Sequence, residues 1–597
     1  MDISLIDGLI IIIPLSLFMV LGFIQRKKAG KNQEEFFLSG RQMPWWLLGI
    51  SMVATTFSAD TPNLVTDIVR KNGVSGNWVW WAFLLTGMLT VFVFAKLWRR
   101  SGMLTDLEFY EVRYGGKKAA FLRGFRAVYL GFFFNIVIMA GVMLAGIKIM
   151  SVILDWSPIQ TILISGIITV TYSALGGLRS VLIADLFQFI IAMIGTIWAA
   201  IYIINMPEVG SLTQLFTHEL VEGKLSIFPD FTDTQNLWMV FIIPLAVQWW
   251  SVWYPGSEPG GGGYIVQRML AARNERQALY ATLFFNFAHY ALRPWPWILI
   301  ALASLIYFPT VADLGTAFPS ISDQILNDDL AYPAMLAMLP KGLLGLVLLS
   351  LISAFMSTIS THLNWGSSYI ANDFYKRFIH PEANDRHLVN IGRLSTVLLL
   401  IFAAILALYL ESALDAFQIL LQIGAGTGLI FILRWFWWRI NAYSELTAMI
   451  VSFIIALLFE FIPAFETLNT SVKLVSGVLI TTIFWVSVTL LTSAENDKVL
   501  VRFLRLTKPH LIGWKGFIKK YRGNVQIPDS PDRLGIEMGG FFVGVLGVYS
   551  LLFGTGFLLY GQYWAALLCG ITFLVSSIYL INVIKKLWST YSPSDTS

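Results

Sequence analysis

The sequence predicts an all-α integral membrane protein with about fifteen transmembrane helices. Of its 597 residues, 56% are hydrophobic and only 13% charged, and the mean hydropathy is +0.69. A soluble chain carries roughly twice that share of charge. Apolar runs long enough to cross about 30 Å of hydrocarbon recur from end to end. Aromatic residues make up 15%, with 22 Trp, as expected where rings sit at two membrane interfaces. Soluble, disordered and nucleic-acid-binding classes are excluded. The single cysteine, Cys569, excludes a disulfide framework and a Cys-ligated metal site.

Spans are expected near 8–25, 45–69, 78–98, 124–153, 158–175, 181–204, 237–256, 276–307, 333–372, 389–410, 414–434, 445–463, 470–492, 539–560 and 563–584. The first lacks a basic leader and a small-residue cleavage site, so it reads as a retained span. An odd number of spans puts the termini on opposite sides. With the N-terminus outside and the C-terminus cytoplasmic, most of the 41 Lys and Arg fall inside, as the positive-inside rule requires of an inner (cell) membrane protein. No segment is long enough for a soluble catalytic domain, and a basic cytoplasmic loop is expected near 495–538. The protein is not expected to be an enzyme.

Two spans are interrupted. The first contains Ser58-Ala59-Asp60-Thr61-Pro62-Asn63; the 237–256 span runs into Trp253-Tyr254-Pro255-Gly256 and then Gly260 to Gly263. Each break opens a block of five spans, so the blocks insert with opposite topology. Unwound backbone at that depth is tolerated only where it lines a cavity, and paired breaks mark a midplane site. The expected organisation is a flanking helix and linker (1–44), a first repeat (45–204), an extracellular loop (205–236), a second repeat (237–438) and C-terminal flanking helices (439–597). The glycine run fits no phosphate-loop pattern and reads as close packing or a hinge.

Polar residues inside spans need a reason. Ala354, Ser357, Thr358 and Thr361 share one helical face. Small residues and hydroxyls suit a hard cation such as sodium; they equally suit a helix-packing seam. Asp185 is either a cation ligand or an interfacial partner of Arg179. Asn286, His289, Tyr290 and Arg293 form a stripe before Pro294. That stripe either binds hydroxyls or a carboxylate, or bridges to Asp60 or Glu258.

These residues resemble the sodium/solute symporter family, from about residue 36 to 440. The resemblance rests on Phe36-Phe37-Leu38-Ser39-Gly40-Arg41 with Pro44-Trp45-Trp46, and on Arg113-Tyr114-Gly115. It continues in Tyr172-Ser173-Ala174-Leu175-Gly176-Gly177-Leu178-Arg179-Ser180-Val181 and Gln267-Arg268-Met269-Leu270-Ala271-Ala272. Ala354-Phe355-Met356-Ser357-Thr358 and Asn372-Asp373-Phe374-Tyr375-Lys376 complete it. The resemblance implies a five-plus-five inverted-repeat symporter core with extra flanking helices. It implies a principal sodium site from the Ala54, Phe57 and Ala354 carbonyls and the Ser357 and Thr358 hydroxyls. It implies a second sodium, as in some members, at Asp185, Ser360 and Thr361. For the solute it points to Thr61, to an aromatic gate at Trp250, Trp253 or Tyr254, to His289 and to Gln422, and the polar stripe adds Asn286 and Arg293. The expected function is sodium-driven import of a small polar solute, a monosaccharide or sugar acid, or else an amino acid or other organic anion. The expected partners are sodium, the solute and the bilayer, with no organic cofactor and no nucleic acid. The rival classes are a membrane-embedded transferase, which His289 alone does not equip, and a sensor module, which would need an appended kinase.

Overall fold

The structure is a computed structural model and describes all residues except 1–3, 155, 253–257, 320–325, 411–423, 425, 466, 522–526 and 590–597. Among the described residues every named element is helical, and ten helices are long and apolar enough to cross a membrane. The spans expected at 45–69, 237–256 and 276–307 are the interrupted or bent ones, and most of the span expected at 414–434 lies outside the described residues.

In chain order the principal helices are α1 (Leu5–Ala29), α2 (Trp45–Thr56), α3 (Thr61–Asn72), α4 (Val74–Ser101), α5 (Gly116–Ser151) and α6 (Pro158–Ile204). The second half supplies α7 (Gly263–Ala271), α8 (Glu275–Tyr307), α9 (Leu343–Ile379) and α10 (Asp385–Tyr409). Then come α11 (Ala442–Phe461), α12 (Thr470–Leu491), α13 (Leu534–Leu559) and α14 (Tyr563–Trp588). Helix α9 is the hub. Of its most apolar stretch, 94% is buried, against 17% for α14. It packs on α6, α10, α1, α5 and α2, while α13 and α14 pair mainly with each other at the periphery. The apolar residues that α14 leaves exposed, such as Leu568 and Ile578, are what a lipid-facing helix requires.

Both expected breaks are present. Helix α2 stops at Thr56, Phe57 leaves helical geometry (φ −90°, ψ 76°), and α3 starts at Thr61. Pro62 sits in the first turn of α3, where a missing N–H costs nothing. The second span is helical to Trp250, turns extended at Ser251, is non-helical over 258–262 and is helical again from Gly263; Trp253, Tyr254, Pro255 and Gly256 of the expected break lie outside the described residues. The glycine run is closely packed. The Gly260 carbonyl accepts from Trp98 Nε1 at 2.9 Å, and Gly260, Gly261 and Gly263 all adopt positive φ.

Three expectations need correction. The 333–372 span divides into a short helix, Ala331–Leu336, and α9, separated by Gly342 at φ +86°. Asp7 accepts the backbone N–H groups of Gly342 and Gly345 at 2.6 and 2.8 Å, which satisfies the new helix start and pins α1 to it. The 495–538 segment is more than a loop. It holds helices Asp497–Thr507 and Lys515–Tyr521, and Asp532 pairs with Lys96 and Arg100, each at 3.0 Å. Burial pushes the Asp532 carboxyl up, but the two cations outweigh it and hold the group below its ordinary range. Several cations counted as topology signals are also buried ion-pair members. Arg123, for example, contacts Glu111 and Asp373 at 2.7 Å.

The spans expected at 158–175 and 181–204 form one helical path, α6, broken at Gly177 (φ +56°, ψ −158°). A Cβ there would lie 2.5 Å from the Phe36 carbonyl oxygen. Gly177→Ala therefore combines a left-handed backbone penalty of about 1–2 kcal/mol with a backbone clash. The purified variant is expected to melt well below wild type; an unchanged melting temperature would show that the break does not depend on glycine.

Candidate ion and solute sites

Helix α2 ends at midprotein with carbonyls that have no helical partner, the negative end of its dipole. Those carbonyls face the small-residue face of α9. Thr358 Oγ1 donates to the Thr55 carbonyl at 2.9 Å and lies 3.2 Å from the Ala354 carbonyl. Thr55 Oγ1 and Thr361 Oγ1 are 2.9 Å apart. The Ala54 carbonyl already accepts the Phe57 N–H at 3.1 Å, so of the α2 carbonyls the one nearest to hand is that of Thr55. Ser357 turns toward Asp185, donating to Oδ1 at 2.6 Å, and Ser51 bonds the other carboxylate oxygen. Ser360 Oγ donates to the Ser357 carbonyl at 3.1 Å. All these groups are buried.

Asp185 is not paired with Arg179. Its cation is Arg268 on α7, fully buried, with Nη2 3.8 Å from the carboxylate. Arg268 also donates to Thr361 Oγ1 at 2.7 Å and to Ser51 Oγ at 3.2 Å. Arg268 was expected to mark the cytoplasmic side; it belongs instead to this cluster. Sequence carried one sign of that, a lone cation within the largely apolar helix 263–271.

On the other side of the α2 end lies a partly open cavity of about 110 Å³. Thr56, Thr86, Thr90, Glu258, Asn286 and His289 give it polarity; Trp80, Phe83, Tyr264, Phe285 and Tyr290 give it aromatic walls. His289 Nδ1 is 2.9 Å from Thr56 Oγ1. The wide turn at Ala288–Leu292, ahead of Pro294, bends the expected stripe. Asn286, His289 and Tyr290 reach the cavity, and Arg293 does not. Arg293 instead lies against the rings of Phe57 and Trp297 and donates to His289 Nδ1 at 2.8 Å. As a solute ligand it is corrected to a support for His289, and the stripe bridges to Thr56 rather than to Asp60 or Glu258. Thr61 and Trp250 are likewise not among the residues lining the cavity. Trp253, Tyr254 and Gln422 lie outside the described residues. Sequence reasoning missed Trp80, Thr86 and Thr90, because nothing local separates them from the rest of an apolar span.

Two interrupted helices meeting beside a cavity within the helical bundle are the device of alternating-access transporters, and that is the class this fold defines. The family model of the sodium:solute symporter family matches residues 36–452, and the chain belongs to that family. A sodium/glucose cotransporter of Vibrio parahaemolyticus is 26% identical over 475 residues, covering 77% of this chain and 86% of that one. The sodium/mannose cotransporter SLC5A10 of Bos taurus is 23% identical over 424 residues, covering 67% and 68%. A sodium-coupled sialic acid symporter, solved substrate-bound and outward-open, shares the fold with a TM-score of 0.68 at 19% identity, over 83% of this chain and 99% of that one. The all-helical symporter fold expected from sequence therefore holds. The protein is a sodium-coupled membrane transporter of a small solute rather than an enzyme.

Proposed function

We propose that this symporter imports a small sugar-like solute across the cell membrane, driven by sodium entering with it. The observation that carries this reading is the position of two adjacent residues. Thr55 engages α9 through its carbonyl and hydroxyl, and Thr56 faces the cavity and His289. An ion drawing α2 and α9 together therefore acts on the same backbone that shapes the solute cavity, so ion and solute bias one equilibrium. Sodium is assigned to the Thr55 end of α2 with Ala54, Phe57, Ala354, Ser357 and Thr358. A second sodium is assigned to Asp185, Ser360 and Thr361, in a conformation where Arg268 has withdrawn from the carboxylate. The inverted repeats are placed at 45–204 and 237–438. Relatives named for glucose and mannose support a sugar. An N-terminus outside and a C-terminus inside are supported by the sequence, because this orientation puts most of the 41 Lys and Arg inside.

Proteoliposomes test the reading directly. Uptake of glucose or mannose is expected when sodium is high outside and low inside, and is expected to collapse when potassium replaces sodium. Equal uptake in both conditions, for every sugar tried, would sink it.

A further inference from the structure

The solute cavity contains a carboxylate that the ion sites do not use. Glu258 lies at the start of the glycine run, is only 4% exposed and lines the cavity. Its Oε1 is held by Arg126, which also lies over the rings of Tyr110 and Phe431. Its Oε2 is buried and has no hydrogen-bond partner among the described residues. A buried acceptor without a partner is costly, so one that borders a cavity points to a donor arriving with the ligand.

One further group in the cavity has the same polarity. Asn286 lines the cavity and donates its amide to the Thr282 carbonyl at 2.8 Å, while its Oδ1, set against Gly87, is again buried and without a partner among the described residues. Gly87 makes this arrangement fit, because a Cβ there would fall onto Asn286 Oδ1. At His289, both ring nitrogens lie near Arg293 Nη2, at 2.8 Å for Nδ1 and 3.3 Å for Nε2, and an arginine can only donate. Neither nearby cation reaches the ligand space. Arg293 is behind His289, Arg126 is engaged with Glu258, and no Lys or Arg is among the described residues lining the cavity.

We infer that Glu258 is a solute-binding residue whose free oxygen accepts from a hydroxyl of the solute, and that its charge selects neutral polyols against sugar acids. This inference rests on the proposed function of the same cavity. A neutral sugar supplies the hydroxyl donors that Glu258 and Asn286 lack, and its C–H faces suit the aromatic walls. A uronate or sialate would bring a second carboxylate beside Glu258 with no cation to meet it, and specificity then comes from repulsion as much as attraction.

The test is sodium-dependent thermal stabilisation of the purified full chain by glucose, mannose, glucuronate and N-acetylneuraminate. Glucose or mannose is expected to bind the wild type at least about tenfold more tightly than either acid. Glu258→Gln is expected to bring neutral and acidic sugars to similar affinity, while Glu258→Asp retains the preference. Wild-type protein that binds glucuronate as tightly as glucose overturns the inference. So does a folded Glu258→Gln variant with an unchanged preference. Should Glu258→Gln not fold, the wild-type comparison and Glu258→Asp decide, a lost preference in the latter counting against the inference. A sodium-dependent shift from acids alone sinks this inference and leaves sodium symport standing. No sodium-dependent shift from any of the four sinks both.

Discussion

Ser357→Ala and Thr358→Ala are each expected to weaken apparent sodium affinity by about tenfold or more, a loss of about 1.4 kcal/mol or greater. The hydroxyls sit on a helix face that is buried throughout, where water cannot easily take over as a ligand. Thr358 is the more direct of the two, because its hydroxyl already contacts the Thr55 carbonyl at 2.9 Å. Removing it takes away an oxygen and also loosens the join between α2 and α9. Ser357→Ala acts partly through Asp185, whose Oδ1 loses a donor at 2.6 Å. Sodium-dependence curves of uptake, with membrane abundance measured alongside, check the prediction. Wild-type curves in both variants would show that sodium binds elsewhere.

Asp185→Asn is expected to produce the largest loss of stability, about 3–5 kcal/mol, the range for breaking a buried pair by removing one partner. Arg268 and Asp185 are both fully buried. The asparagine keeps hydrogen-bonding capacity toward Ser51 and Ser357 but leaves the guanidinium without its counter-charge. Arg268→Gln in the same chain should restore part of the loss, since the pair is coupled and the effects are then not additive. A double variant as unstable as the sum of its parts would refute the pairing. The same variant tests the second ion. A sodium-to-solute ratio of two in the wild type, falling to one in Asp185→Asn by reversal potential, supports a sodium at Asp185. A wild-type ratio of one leaves Asp185 as the structural partner of Arg268.

The features legible in the sequence are those written locally along the chain. Composition and run length identify a membrane protein because the bilayer demands apolar helices of fixed length. Pro62 and the glycine run mark the two breaks because proline and glycine act on their own backbone. The face bearing Ala354, Ser357, Thr358 and Thr361 follows from helical periodicity alone. The tertiary structure decided which distant groups meet. Asp185 finds Arg268 rather than the nearer Arg179, because Gly177 breaks α6 and α7 packs where α2 and α9 converge. Arg293 is drawn behind His289 by the wide turn at Ala288–Leu292 and the rings of Phe57 and Trp297. Glu258 becomes part of the cavity because Arg126, 132 residues away in the chain, holds one of its oxygens and leaves the other without a partner. Contacts of this kind depend on how helices pack, and packing is a property of the whole chain that no local pattern records.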